Sequence, residues 1–172
     1  STAKPSRTPV RLVPDPPLLE RTARDLIEAG SPVLHVGPEV WTSGARADVV
    51  ELAELLAIPV TQARSWAADF PTDHPLYLGG YFHPMRFPEE TDLFLNLGAK
   101  MPDQGGGPPM VPRSAKIIHA RIESHQIGVN YPVDHAIVAG MKETARALIE
   151  AVKSSLTAEG LDAINPSRRA KT

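Results

Sequence analysis

Ser31-Pro-Val-Leu-His-Val-Gly37 decides how this chain reads. Val33, Leu34 and Val36 form a short, nearly continuous apolar run, opened by Gly30 and Pro32 and closed by Gly37. A strand with one wet face alternates polar and apolar residues. A run without alternation describes a strand buried on both faces, as in a parallel sheet covered by helices. A helical pattern precedes the run, and a polar loop over 37–43 leads to a second one. At such strand-to-helix turns, free backbone N–H groups favour an anionic ligand.

The same alternation continues in both directions. Before the run, Leu18, Leu19, Thr22, Ala23, Leu26 and Ile27 fall on one helical face over 17–29. Asp15 is placed to cap that helix, proline suits its first turn and Gly30 its C′ position. After the run, Val49, Leu52, Ala53 and Leu56 predict a helix over 45–57 with Ser43 as N-cap, and Ile58-Pro-Val-Thr61 a short strand. Further strands are expected at 93–97, 115–122 and 133–138, and a last helix at 141–156 with Thr144, Leu148, Ile149, Val152 and Leu156 inward. Residues 63–91, broken by Gly79-Gly80 and several prolines, read as a long loop or short helical turns carrying Trp66, Phe70, Tyr77, Tyr81, Phe82 and Phe87. That loop either packs over a sheet edge or faces another domain or subunit, with exposed apolar surface there supporting weak self-association. The pattern predicts an α/β fold: a three-layer, Rossmann-like domain over 17–156, with a parallel sheet of five or six strands and helices on both faces. Residues 1–16 read as a Pro-rich linker, and 157–172, aperiodic and basic, as a C-terminal one.

Composition narrows the function classes. The 172 residues suffice for one domain with a sizeable core. A net charge of −2 supplies no basic field for nucleic acid or an anionic membrane, and no apolar run is long enough to span one. The absence of cysteine removes disulfides, thiolate metal sites and a thiol nucleophile, and fits a cytoplasmic protein.

No catalytic constellation assembles from the sequence. His35 and His119 interrupt apolar strands, where a histidine is more often a hydrogen-bonded core residue than a base. His74 and His83 precede prolines and have no partner at metal-ligand spacing. No nucleophile elbow or Walker motif occurs. The candidate site is a row of glycines at strand ends: Gly37, Gly98 and Gly140, with Gly79, lining one sheet edge where a nucleotide could lie. Glycines that simply make the turns are the competing reading.

Several stretches resemble the central domain of thiamine-diphosphate-dependent enzymes, the family of acetolactate synthase, benzoylformate decarboxylase and oxalyl-CoA decarboxylase. Residues 115–138, Ala-Lys-Ile-Ile-His-Ala-Arg-Ile-Glu-Ser-His-Gln-Ile-Gly-Val-Asn-Tyr-Pro-Val-Asp-His-Ala-Ile-Val, carry the likeness furthest. Residues 31–37, 55–61 and 91–98 add to it in the right order. The resemblance implies a non-catalytic spacer and assembly surface. In that family the activating glutamate lies in a pyrimidine-binding domain, and the Mg-binding Gly-Asp-Gly motif in a diphosphate-binding domain. This chain contains no Gly-Asp-Gly. Thiamine diphosphate and Mg²⁺ are therefore expected in a parent enzyme and no cofactor in this chain. The implied partners are those two domains and, in a homo-oligomer, further copies.

Some relatives hold FAD or ADP in this domain. Three departures disfavour either here. The arginine that follows the third strand in FAD-binding synthases is Lys100, a point charge rather than a fork. The acid that takes a ribose hydroxyl is Arg121, which cannot accept that hydroxyl's proton; it would suit a phosphorylated ribose or a coenzyme A phosphate, and is expected to pair with Glu123 or a neighbouring acid. On this resemblance Lys100 and Arg121 join the glycine edge as candidate nucleotide contacts. A glycine triplet has become Gly37-Pro38-Glu39, losing an N–H and gaining a negative charge. A free-standing module binding ADP, FAD or coenzyme A is the alternative.

Overall fold

Asp15 opens the first helix, α1 (Pro16–Glu28): its carboxylate accepts the Leu18 N–H at 3.2 Å, and prolines fill the first turn, where no intrahelical acceptor exists for an N–H. The structure, a computed structural model, describes residues 11–64, 67–80, 87–102 and 109–169. The expectations for Trp66, Tyr81, Phe82, His83 and most of the N-terminal linker lie outside the described residues.

After α1 come β1 (Pro32–Val36), α2 (Pro38–Thr42), α3 (Arg46–Leu55), β2 (Val60–Gln62), β3 (Tyr77–Gly80), β4 (Leu93–Leu97), β5 (Lys116–Arg121), β6 (His135–Val138), α4 (Met141–Ser155) and α5 (Ala158–Arg169). A single 3₁₀ turn, Ser124–Gln126, lies between β5 and β6. All six strands are parallel, in the order β3-β2-β1-β4-β5-β6. This is a Rossmann-like α/β sheet, and its strand order reverses between β1 and β4. The quoted run is β1, buried along its whole length and paired on both sides.

Alternate residues of β1, β4 and β5 feed two cores. Leu34, Val36, Leu93, Leu95, Leu97, Ile118 and Ala120 pack against the apolar stripes of α1, α3 and α4. Val33, Phe94 and Ile117 face the other way and meet Phe87, Met101, Met110, Val111 and Tyr131, which arrive on the connections between strands. Among the described residues, that second outer layer is irregular chain plus the one 3₁₀ turn.

Four local expectations need correction. Residues 37–43 are not a bare loop: Pro38, at the first helical position, and the Ser43 side chain, which donates to the Glu39 carbonyl at 2.6 Å, close the short helix α2. Ser43 therefore caps the end of α2, and α3 begins from Ala45 with no side-chain cap. The 63–91 segment contains a strand: β3 adds to the sheet beside β2, with a register shift that skips Leu78. Its glycines and one-residue bulge hid the period-2 pattern. Two of its aromatics, Phe70 and Phe87, are buried, while Leu78 is 42% exposed.

The fourth correction concerns the tail, which is helical rather than aperiodic. Arg168 on α5 is 3% exposed, and its guanidinium donates to the carbonyls of Leu26, Ile27 and Ala29 at the end of α1 and of Leu56 at the end of α3. Those carbonyls have no intrahelical donor, so one side chain caps two helices. Arg168→Ala leaves several buried acceptors unsatisfied and should lower the unfolding free energy by about 3 kcal/mol. A urea titration measures it; a loss within error of zero would show that the tail is not held this way.

Candidate functional site

Sheet pairing sets the site. His35 pairs with Thr61 and Asn96, and Asn96 with His119, so four polar residues form one row across β2, β1, β4 and β5, on the face opposite the three helices. All four are buried. His35 Nδ1 lies 2.9 Å from Thr61 Oγ1, whose own hydrogen points to the Leu34 carbonyl; the ring packs on Phe94 and against the edge of Phe87. Asn96 Oδ1 accepts the Ala99 N–H at 3.1 Å. His119 Nε2 donates to the Ala99 carbonyl at 2.9 Å, which makes Nδ1 the lone-pair nitrogen, and Nδ1 is buried with no partner.

Two residues further along the same strands come Gly37, Gly98 and Arg121, at the carboxyl edge on either side of the strand-order reversal. Gly140 stands at the same edge as N-cap of α4. The structure thus brings together Gly37, Gly98, Arg121 and Gly140. Gly79 sits two strands out from β1, at φ +107 in the β3 bulge, with nothing near its absent side chain. Lys100 is exposed beyond the Gly98–Ala99 turn.

The edge is tightly closed. A Cβ on Gly37 would lie 2.5 Å from the Ala99 backbone, and one on Gly98 2.6 Å from Glu39 Cβ. Gly98 also has φ +73, a conformation that side chains disfavour. The backbone donors are occupied. Gly37 N–H reaches the Leu97 carbonyl at 3.0 Å, Glu39 N–H the Gly98 carbonyl at 3.3 Å, Gly98 N–H the Ala120 carbonyl at 2.9 Å and Gly140 N–H the Leu12 carbonyl at 2.9 Å.

Arg121 finds its main partner in Glu39, not Glu123. Glu39 Oε1 accepts from Arg121 Nε at 2.8 Å and Nη2 at 2.7 Å, and Oε2 accepts the Ile122 N–H at 2.9 Å; Glu123 stands 3.6 Å from Nη2. Both side chains are largely buried, at 9% and 13% exposed, and Arg121 Nη1 is buried without an acceptor. Sequence reasoning missed Asn96 and the polar row. The signal was present: His35 and Asn96 each stand two residues before the glycine that closes their strand, and His119 two before Arg121. Burial pushes the His35 pKa down to about 3, with the His119 charge adding to it. Burial also lowers His119 and His135. Among the described residues, no group of three or more His, Asp or Glu side chains is placed to hold a metal ion, and no helix is long and apolar enough to cross a membrane.

The family model described as the thiamine pyrophosphate enzyme central domain matches residues 19–148. The acetolactate synthase of Mycobacterium avium is 31% identical over 150 residues, covering 84% of this chain and 24% of that protein. The sulfoacetaldehyde acetyltransferase of Roseovarius nubinhibens is 33% identical over 140 residues, covering 76% and 23%. The solved thiamine diphosphate-dependent 4-hydroxybenzoylformate decarboxylase of Rhodococcus jostii RHA1 superposes with a TM-score of 0.71 at 28% identity, over 88% of this chain and 29% of that one. The chain therefore spans about a quarter of the length of these curated relatives.

Two outcomes are expected of the site. Gly98→Ala forces a left-handed alanine and a contact with Glu39, and should cost about 3 kcal/mol. Gly140→Ala, at an ordinary φ of −68, meets the flexible end of Glu143 and touches the Leu12 carbonyl only at an ordinary contact distance, and should cost less than about 1 kcal/mol. Equal losses in chemical denaturation would contradict this packing. The second outcome is a pH dependence. Unfolded histidine takes up its proton near pH 6.5, but folded His35 does so only near 3, so the unfolded state binds more protons and stability falls on acidification. Between pH 6.5 and about 5.5, His35 alone should remove about 1 kcal/mol, with His119 and His135 acting in the same direction. A flat urea midpoint over that interval would contradict it.

Proposed function

The chain belongs to the thiamine pyrophosphate enzyme central-domain family, and on that premise we propose that it is the non-catalytic middle domain of a thiamine-diphosphate-dependent decarboxylase or carboligase, a spacer and packing surface. On this reading the cofactor and Mg²⁺ belong to a pyrimidine-binding and a diphosphate-binding domain of one longer cytoplasmic chain, which assembles as a homo-oligomer.

One observation carries the proposal. At the strand-order reversal, where this architecture would hold a nucleotide diphosphate, the backbone N–H groups of Gly37, Glu39, Gly98 and Ala99 are already engaged by the chain's own oxygens. Room for a ligand is taken by the mutual approach of Gly37, Ala99, Gly98 and Glu39. A diphosphate there would have to displace those internal bonds, which disfavours FAD and ADP. A packing role is supported by Leu12, Trp41, Ile122 and Val138, all 40–54% exposed on segments at the carboxyl edge. Such apolar surface suits contact with another domain.

Calorimetry on the 172-residue chain tests the reading. ADP, FAD, coenzyme A and thiamine diphosphate with Mg²⁺ are each expected to give no saturable heat, and 2-oxo acids no turnover. Stoichiometric binding of a nucleotide would replace the spacer with a nucleotide-binding module. Turnover by this chain alone would overturn the non-catalytic assignment.

A further inference from the structure

The Glu39 carboxylate has the surroundings of a bound ligand rather than of a surface ion pair. It gathers three N–H donors: Nε and Nη2 of Arg121 on one oxygen, and the backbone N–H of Ile122 on the other. A charged fork joined by a main-chain donor is the set with which proteins hold free carboxylates and phosphate oxygens. A fourth donor, Arg121 Nη1, is buried beside it and unused, so the guanidinium offers more than this carboxylate takes up. Ile122 and Val138, at 44% and 45% exposed, stand where β5 and β6 end and leave this corner near solvent.

We propose that Arg121 and the Ile122 N–H form an oxyanion site, and that Glu39 is its built-in occupant. The ligand class is a small oxyanion with at least two acceptor oxygens, such as acetate. In the native chain Glu39 is tethered by α2 directly above the donors. A free anion in its place would lose translational freedom that the tether has already removed, so free anions do not displace it. Glu39 thus acts as an internal plug whose removal opens the site. The proposal concerns this chain's own residues and stands whether or not the domain works as a spacer.

The test is chemical rescue on the full chain. Glu39→Ala deletes the equivalent of acetate, and sodium acetate is the probe, against sodium chloride at equal ionic strength. At a tenfold excess over its dissociation constant, acetate should raise the melting midpoint of Glu39→Ala by about 3–5 °C beyond chloride. Wild type should respond alike to both salts, and Glu39→Ala/Arg121→Gln should lose the difference. The Arg121 Nε–H resonance of the single variant should move with acetate and saturate. Equal responses of all three proteins, or an unmoved Arg121 resonance, overturn the proposal. Should Glu39→Ala not accumulate folded, its recovery on refolding into acetate is compared with that into chloride. Greater recovery in acetate supports the site, and equal recovery overturns it.

Discussion

The close crossing of two turns at the centre of the carboxyl edge governs the rest of this structure. The chain leaving β1 passes Gly37, and the chain leaving β4 passes Gly98, and each lies where a side chain on the other would collide. Two glycines on neighbouring parallel strands permit that approach, and the backbone bonds Gly37 to Leu97 and Glu39 to Gly98 hold it. Once the turns interlock, Glu39 is carried across β4 to Arg121 on β5. Glycine at this place in a Rossmann-like sheet ordinarily lets a ligand come near the backbone. Here the neighbouring turn comes near instead.

The polar row beneath the crossing follows from the same geometry. Asn96 and His119 bind the two sides of Ala99, Asn96 taking its N–H and His119 its carbonyl. They fix the turn that blocks Gly37. Buried polar groups cost free energy unless paired, so the row is stabilising where it is satisfied and strained where it is not. Within the row His119 Nδ1 is buried without a partner, and two residues further along the same strand face Arg121 Nη1 is too.

What the sequence could reveal depended on range. The double burial of β1 was legible because Val33, Leu34 and Val36 leave no wet face, and Asp15 because a cap acts on residues three positions away. Gly37 and Gly98 were legible as strand ends, but their close approach was not: it is a contact between residues about sixty apart, visible only once β1 and β4 pair. Arg121 was recognised as unable to serve a ribose, yet its partner Glu39 lies 82 positions away. The helix α5 escaped because its amphipathic pattern is interrupted by Gly160 and Pro166, and because Arg168 reads as a solvated tail charge until α1 and α3 bring their carbonyl ends to it. Edge strand β3 escaped because its glycines carry no pattern.

Three charged side chains close the opposite edges of the sheet in the same physical manner, by meeting main-chain groups that the secondary structure leaves over. At the amino edge, Arg168 takes the free carbonyls of α1 and α3, while Asp92 takes the N–H groups of Gly30 and Ser31. At the carboxyl edge, Glu39 takes the N–H of Ile122. An ion pair replaced by apolar residues often leaves a protein no less stable, so stability alone does not call for charge in such places. A backbone N–H or carbonyl, however, can be satisfied only by a polar group, and within a buried turn the candidates are water, a ligand or a side chain. This chain uses side chains at both edges. The backbone donors that such sheets leave open at strand ends are here turned inward, beside an apolar rim of Leu12, Trp41, Ile122 and Val138 that stays exposed.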